Sequence, residues 1–218
     1  MLPLVGDILT AKKLIVFGFG GHARSVADVA LACGYSELLF VDSNAIPGES
    51  FMGHRVVREF TNLGDSWCDA FAASGDSRQR QEQCQTIARV GLRLVTLIAP
   101  SASVGVGSVI GSGCMVGHHA HIGPMAAIGQ ACIINTGAVV EHESRVGDYA
   151  HVSVNSTIAG RSELGAFSML GAGATIIDKV RVADNVVVGA GAVVAASIES
   201  DGTYVGVPAR KRNSLQGF

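Results

Sequence analysis

The chain is expected to fold as a small Rossmann-like α/β domain followed by a triangular parallel β-helix. Two observations predict this. Every sixth residue from Ile98 to Val194 is Ile, Val or Leu, without a slip of phase. Before that run, strand-like and helix-like stretches alternate between Lys12 and Leu97. A period of six belongs neither to a helix, near 3.6, nor to a half-buried strand, near 2. A fixed longer period signals a solenoid, and hexapeptide repeats are one β-helix class. Each hexad then supplies one short strand and a corner, and three hexads close a turn. The aliphatic residue points inward. A small residue four places on, such as Ala102, Ser108, Cys114 or Ala120, packs beside it. Glycine often follows the aliphatic position and helps the corner bend.

In chain order, Leu14–Phe17 is an apolar run suited to a buried parallel strand. Gly18-Phe19-Gly20-Gly21-His22 follows it. Ala23 to Gly34 reads as a helix, with Val26, Ala27, Ala30 and Leu31 on one face and Gly34 as its stop. Leu38–Val41 reads as a second strand ending in Asp42-Ser43, and Val56-Val57 as an edge strand. Ala70–Ala73 is a further strand ending in Ser74-Gly75-Asp76, and Gln79 to Val90 a second helix. The expected units are an α/β domain over 11–97, a β-helix over 98–199 and a cap or tail over 200–218. Basic residues in that tail, Arg210, Lys211 and Arg212, could cap the coil or meet the phosphates of a ligand, and a solvated tail is the equal alternative.

Bulk composition narrows the function classes. The 218 residues carry a formal charge of −2, so no basic face points to nucleic acid. The five cysteines form no CxxC pair and are expected as reduced thiols, with Cys114 and Cys132 in interior slots. Met1 to Ala11 lacks the basic start and apolar length of a signal peptide. No stretch reaches the ~18–20 apolar residues of a membrane span. A cytoplasmic protein is expected.

Gly18, Gly20 and Ala23 match the dinucleotide fingerprint, and Asp42 lies where a ribose-binding acid would. Taken alone, that says NAD. The domain, however, has room for only half of a doubly wound dinucleotide fold, and His22 offers a polar contact beside the loop. A nucleotide or nucleotide-sugar held by N–H groups at the helix start fits better. A ligand-free turn is the bland alternative. Asp42, Ser43 and Gly75 follow other strands and should converge on the same crevice, since ligands of open α/β sheets bind at that edge.

Five of the seven histidines lie in the repeat. His118, His119 and His121 lack a recognised zinc spacing, and no metal is expected. His142 is more informative. Val140 points inward, so Glu141, His142 and Glu143 follow on an outer corner. One turn away in either direction lie Pro124 and Gly160, which leave a slot around the imidazole. A histidine flanked by carboxylates can act as a general base. The alternative is a solvated surface histidine.

Phe17–His22, Gly75–Arg80, Asn135–Glu143 and Gly206–Ala209 together resemble the sialic acid O-acetyltransferase/nucleotide-amino-sugar N-acetyltransferase family of left-handed β-helix (hexapeptide-repeat) acyltransferases. The resemblance covers nearly the whole chain after Ala11. It implies an acetyl-CoA-dependent N-acetyltransferase of a nucleotide-linked 4-amino-dideoxy sugar in bacterial surface glycan biosynthesis. It also implies a homotrimer with acetyl-CoA between neighbouring β-helices. His142 matches the catalytic base and Glu143 the acid behind it. Gly20, Gly21, His22, Asp42, Ser43 and Gly75 match nucleotide-sugar contacts, and His151, Gly160, Ala172 and Ala190 match acetyl-CoA contacts. His151 is a candidate oxyanion donor near the slot. Arg24 stands where the family often has lysine, and Ser43 replaces an acid of some relatives. Three rivals are carried: O-acetylation of a sialic-type sugar, an NAD-binding oxidoreductase, and a non-catalytic scaffold.

Overall fold

The computed structural model describes residues 11–60 and 67–212. The stretch read above as no signal peptide, from Met1 up to Thr10, and the last part of the expected tail therefore lie outside the described residues. The first part is a three-layer α/β unit of β1 (Lys13–Phe17), α1 (Gly21–Ala32), β2 (Glu37–Val41), β3 (Ser50–Phe51), β4 (His54–Val57), β5 (Asp69–Ala72), α2 (Ser77–Arg89) and β6 (Arg93–Leu94). The sheet order is β3-β4-β2-β1-β5-β6. All neighbours are parallel except the β3–β4 hairpin. β3, which the sequence reading missed, takes the edge, so the expected edge strand at Val56-Val57 sits one place inward.

Register positions the site. Phe17 lies opposite Val41 and Ala72, so β1, β2 and β5 end level with one another. The residues that follow them, Gly18, Asp42 and Ala73, therefore meet at one sheet edge. α1 begins at Gly21, two residues before the expected start. α2 begins at Ser77 because the Asp76 carboxylate accepts from the Gln79 N–H at 2.8 Å.

From Leu97 the chain winds as a left-handed parallel β-helix of three sheets. The first face starts at Leu97–Ile98 and includes Met115–Val116, Ile133–Ile134, His151–Val152, Met169–Leu170 and Val186–Val188. The second face runs from Ser103–Val104 to Val193–Val194, and the third from Val109–Ile110 to Arg181–Val182. Inward positions stack turn on turn, as in Val116–Ile134–Val152. The small slots are also interior, with Cys114, Cys132, Ser144 and Ser162 buried. Buried serines survive there because each hydroxyl finds a corner carbonyl: Ser144 donates to Ala159 O at 2.8 Å and Ser162 to Ile177 O at 2.7 Å.

The first three inward positions depart from expectation. Ile98 and Val104 are 37% and 44% exposed, and Ile110 is half-buried. They lie at the start of the coil, where no preceding turn covers the prism. At the other end Gly202–Val205 pairs with Val186–Val188, and Arg210–Lys211 pairs antiparallel to it. Tyr204 joins the coil core. Part of the expected tail thus extends the first face.

The α/β unit sits on that first face and on the corner before it. Met115 and Ile133 share a core with α1 and the sheet, and Tyr149 and Ala131 with α2. Arg80 of α2 is fully buried at this seam. Its guanidinium donates to Ala131 O (2.8 Å), Ser74 O (2.9 Å), Gly75 O (3.2 Å) and Tyr149 O. One side chain therefore ties the Gly75 loop to two turns of the coil.

Candidate active site

The level strand ends make a crevice. One cavity of about 340 Å³ is lined by Gly18, Gly20, Gly21, His22, Asp42 and Gly75, among others. An adjoining one of about 440 Å³ adds Ser43, Arg58 and Phe60 and shares Gly18, Asp42, Gln79 and Gln83. All six sequence-predicted substrate contacts therefore converge. Gly18 has φ +110 and needs glycine for its turn. Open space faces Gly20 and Gly21, and no side chain caps the start of α1. Its first N–H groups are available to an anion. Asp42 accepts from the Phe19 N–H at 2.8 Å and the Asn44 N–H at 2.9 Å. Its carboxylate shapes the loop, which weakens the reading of Asp42 as a free ribose acid.

His22 lines the crevice and has a second histidine beside it. The rings of His22 and His151 lie 6.0 Å apart. Burial first, then Arg80, lowers His22 to about 4. Burial, His22 and Arg80 lower His151 to about 3. Both rings are neutral near pH 7. Asn135 Oδ1 accepts from the Thr136 N–H at 2.8 Å, which leaves its Nδ2 to donate to His151 Nε2 at 3.3 Å. His22 Nε2 is buried without a hydrogen-bond partner among the described residues. Such a group is costly to leave unbonded.

His142 lies elsewhere. It belongs to the corner between the second and third faces, opposite the face that carries the α/β unit. Its Nδ1 is 3.2 Å from Glu143 Oε2, and Arg161, one turn on, donates from Nε to the same oxygen at 2.9 Å. The Arg161 guanidinium, with His142 second, holds the Glu143 carboxyl below the usual carboxylate range. Glu143 has φ +58, the left-handed corner conformation. A carboxylate only accepts, so Nδ1 carries the proton and the Nε2 lone pair faces outward. Gly160 stacks on the ring. A β-carbon there would come within 2.5 Å of Nε2. The imidazole itself takes up the space over Gly160, and that packing depends on glycine.

Within one chain the predicted residues form two groups. His22, Gly75 and His151 meet at the first face, and Ala172 and Ala190 lie on the exposed corner after it. His142, Glu143 and Gly160 hold the far edge. His151 is therefore not beside the His142 slot of its own chain, contrary to expectation. Nine residues separate the two, half of the 18-residue turn that links Glu143 to Arg161. The same spacing could have found Arg161, which sequence reasoning missed. Arg80 gave no comparable signal.

Among the described residues no His/Cys/Asp/Glu group is set to hold a metal. His118 pairs with Asp28 (3.3 Å) and Ser101 (2.8 Å), and His121 with Ser103 (2.7 Å). All five cysteines are free thiols. No helix among the described residues is long and apolar enough to cross a membrane.

Residues 13–87 match the model of the PglD N-terminal domain family. Comparison with curated proteins gave no match. Among solved structures, the acetyltransferase domain of PglB from Neisseria gonorrhoeae FA1090 superposes with a TM-score of 0.85 at 30% identity, over 92% of this chain and 100% of that one. The same domain solved with acetyl coenzyme A gives 0.85 and 30%, over 93% and 100%. A histidine-to-alanine variant of GDP-perosamine N-acetyltransferase from Caulobacter crescentus, solved with CoA and GDP-perosamine, gives 0.82 and 31%, over 93% and 97%. With the α/β crevice, the hexad coil and the His-Glu corner in place, the chain belongs to the nucleotide-amino-sugar N-acetyltransferase family of left-handed β-helix acyltransferases.

Proposed function

We propose that the protein transfers acetyl from acetyl-CoA to the amino group of a nucleotide-linked 4-amino-dideoxy sugar of bacterial surface glycan synthesis. The observation that carries this reading is the His142–Glu143 pair with Nε2 left free over Gly160. The nucleotide sugar enters the α/β crevice, its phosphates at the start of α1, with Gly20, Gly21, His22, Asp42, Ser43 and Gly75 around it. Acetyl-CoA lies along the first face past His151. Val154, Met169 and Val187 give that side an exposed apolar strip for the pantetheine arm. Ala172 and Ala190 offer backbone beside it, and Arg210, Lys211 and Arg212 stand at the end of the same sheet for the phosphates.

Because His142 stands across the prism, each site needs two chains. A homotrimer presents the His142 corner of one copy to the first face of the next. The step is direct. The neutral amine attacks the thioester carbonyl and its proton passes to His142 Nε2 as the C–N bond forms. The C–S bond then breaks and the thiolate takes that proton from the ring. Glu143 holds the Nδ1–H and offsets the imidazolium charge. His151 Nε2 accepts from Asn135, so the oxyanion donor is a backbone N–H near the slot rather than that ring. His142→Ala, assayed with acetyl-CoA and GDP-perosamine, loses about 100-fold or more in kcat, the range of a general base. Coenzyme A binding stays near wild type. Wild-type turnover in that variant ends the proposal.

A further inference from the structure

The corner that carries His142 holds one more charged side chain with an oxygen turned to the same point. Asp178 stands two turns along the coil from His142, in the same column, with Gly160 between them. A β-carbon at Gly160 would lie 2.5 Å from His142 Nε2 and 3.1 Å from Asp178 Oδ1. The imidazole nitrogen and the carboxylate oxygen therefore both lie against Gly160, near enough for one cationic nitrogen to bond to both. The other oxygen, Oδ2, faces Lys179 Nζ at 3.5 Å, an exposed pair worth little by itself. Oδ1 has no hydrogen-bond donor among the described residues. Gly160 is what lets the two approach, since a side chain there would push the ring away.

Building on the proposed acetyl transfer, we propose that Asp178 is the residue that selects an amine over a hydroxyl at this site. A 4-amino sugar arrives as an ammonium ion, and only a cationic acceptor gains charge-assisted bonding from a carboxylate. Such bonds are about twice as strong as neutral ones. Asp178 Oδ1 holds the ammonium next to Nε2. One ammonium proton leaves to water, which gives the neutral nucleophile. The second goes to Nε2 as the C–N bond forms, and from there to the thiolate. A hydroxyl acceptor brings no charge and gains only a neutral hydrogen bond. Asp178 thus sets acceptor affinity, while His142 sets the chemical step.

The test compares wild type with Asp178→Asn and Asp178→Glu, using acetyl-CoA with GDP-perosamine and with UDP- and dTDP-linked 4-amino-4,6-dideoxyglucose. The inhibitors are the counterparts bearing a hydroxyl at C4, such as GDP-rhamnose. In Asp178→Asn the KM for the amine that wild type turns over rises about tenfold. Its kcat, the KM for acetyl-CoA and the inhibition by the hydroxyl counterpart all stay within about twofold of wild type. Asp178→Glu recovers part of the affinity. An unchanged amine KM, or equal weakening of amine and hydroxyl sugars, overturns the assignment of Asp178 and leaves the acetyltransferase reading intact. Failure of wild type to acetylate any of the amines overturns both.

Discussion

The α/β crevice and the His142 corner solve opposite problems. The crevice is a half-open pocket whose polar groups are held in place by hydrogen bonds and burial. Asp42 holds the glycine loop, Arg80 holds the Gly75 loop, and burial keeps His22 and His151 neutral. The corner is exposed and works through charge, with Arg161, Glu143 and His142 in line and Asp178 two turns away. The first arrangement suits recognition of a large ligand. The second suits proton transfer at an exposed edge. The lesson is that the fold sets the two groups on opposite sides of one prism, so under the proposed acetyl transfer a site would draw one region from each of two chains.

The sharpest way to break this comparison is to divide the two regions between chains. Gly20→Trp projects into open space in the crevice and should block the sugar without disturbing the core. His142→Ala removes the base. Each variant alone is inactive. Unfolded and refolded together at equal amounts, they regain roughly a quarter of wild-type activity, because one pairing in four joins an intact corner to an intact crevice. No recovery from the mixture, with each variant correctly assembled, would mean that every site is built within one chain.

The next effect is on stability and belongs to the crevice side alone. Arg80→Met keeps an apolar stem but strands the carbonyls of Ser74, Gly75, Ala131 and Tyr149 at a closed seam. A loss of about 3 kcal/mol is expected for removing charged donors from buried acceptors. A clear fall in Tm, with a raised KM for the nucleotide sugar, is the outcome to look for. A variant as stable as wild type would show that the seam is held by the apolar contacts of Met115, Ile133 and Tyr149 instead.

The two regions were not equally legible in the sequence. The coil was open to reading because a three-sided prism admits one kind of residue at each inward position, and its stacking repeats without slippage. The His142 corner was legible for the same reason: Pro124 and Gly160 could be placed around the ring by counting turns. Counting once more would have placed Arg161 against Glu143, Asp178 opposite His142, and His151 on the far side. The exposed start of the coil at Ile98 and Val104 was hidden, since periodicity does not say what covers an end. In the α/β unit the strand ends and glycine loop were readable from local pattern. Arg80 was not, because an arginine on a polar helix reads as solvated until the turn that buries it is known.

The smallest effect, and the one that most cleanly separates the regions, is the pH dependence of stability. His22 and His151 both titrate lower in the folded protein, at about 4 and about 3, than the ordinary 6.5. Between those values the unfolded chain binds more protons than the folded one, so stability rises with pH across the window. The contribution is fully present above about pH 6.5 and is lost as pH falls toward 4. At pH 5 each ring costs at most about 2 kcal/mol, with relaxation of the seam reducing it. Thermal melts at pH 7.5 and pH 5 should therefore differ, and His22→Phe should narrow the difference by removing one buried base and one neighbour of His151. If His22→Phe leaves the gap as wide as wild type, the acid-labile group lies outside the buried pair, and the division between a buried neutral crevice and an exposed charged edge fails.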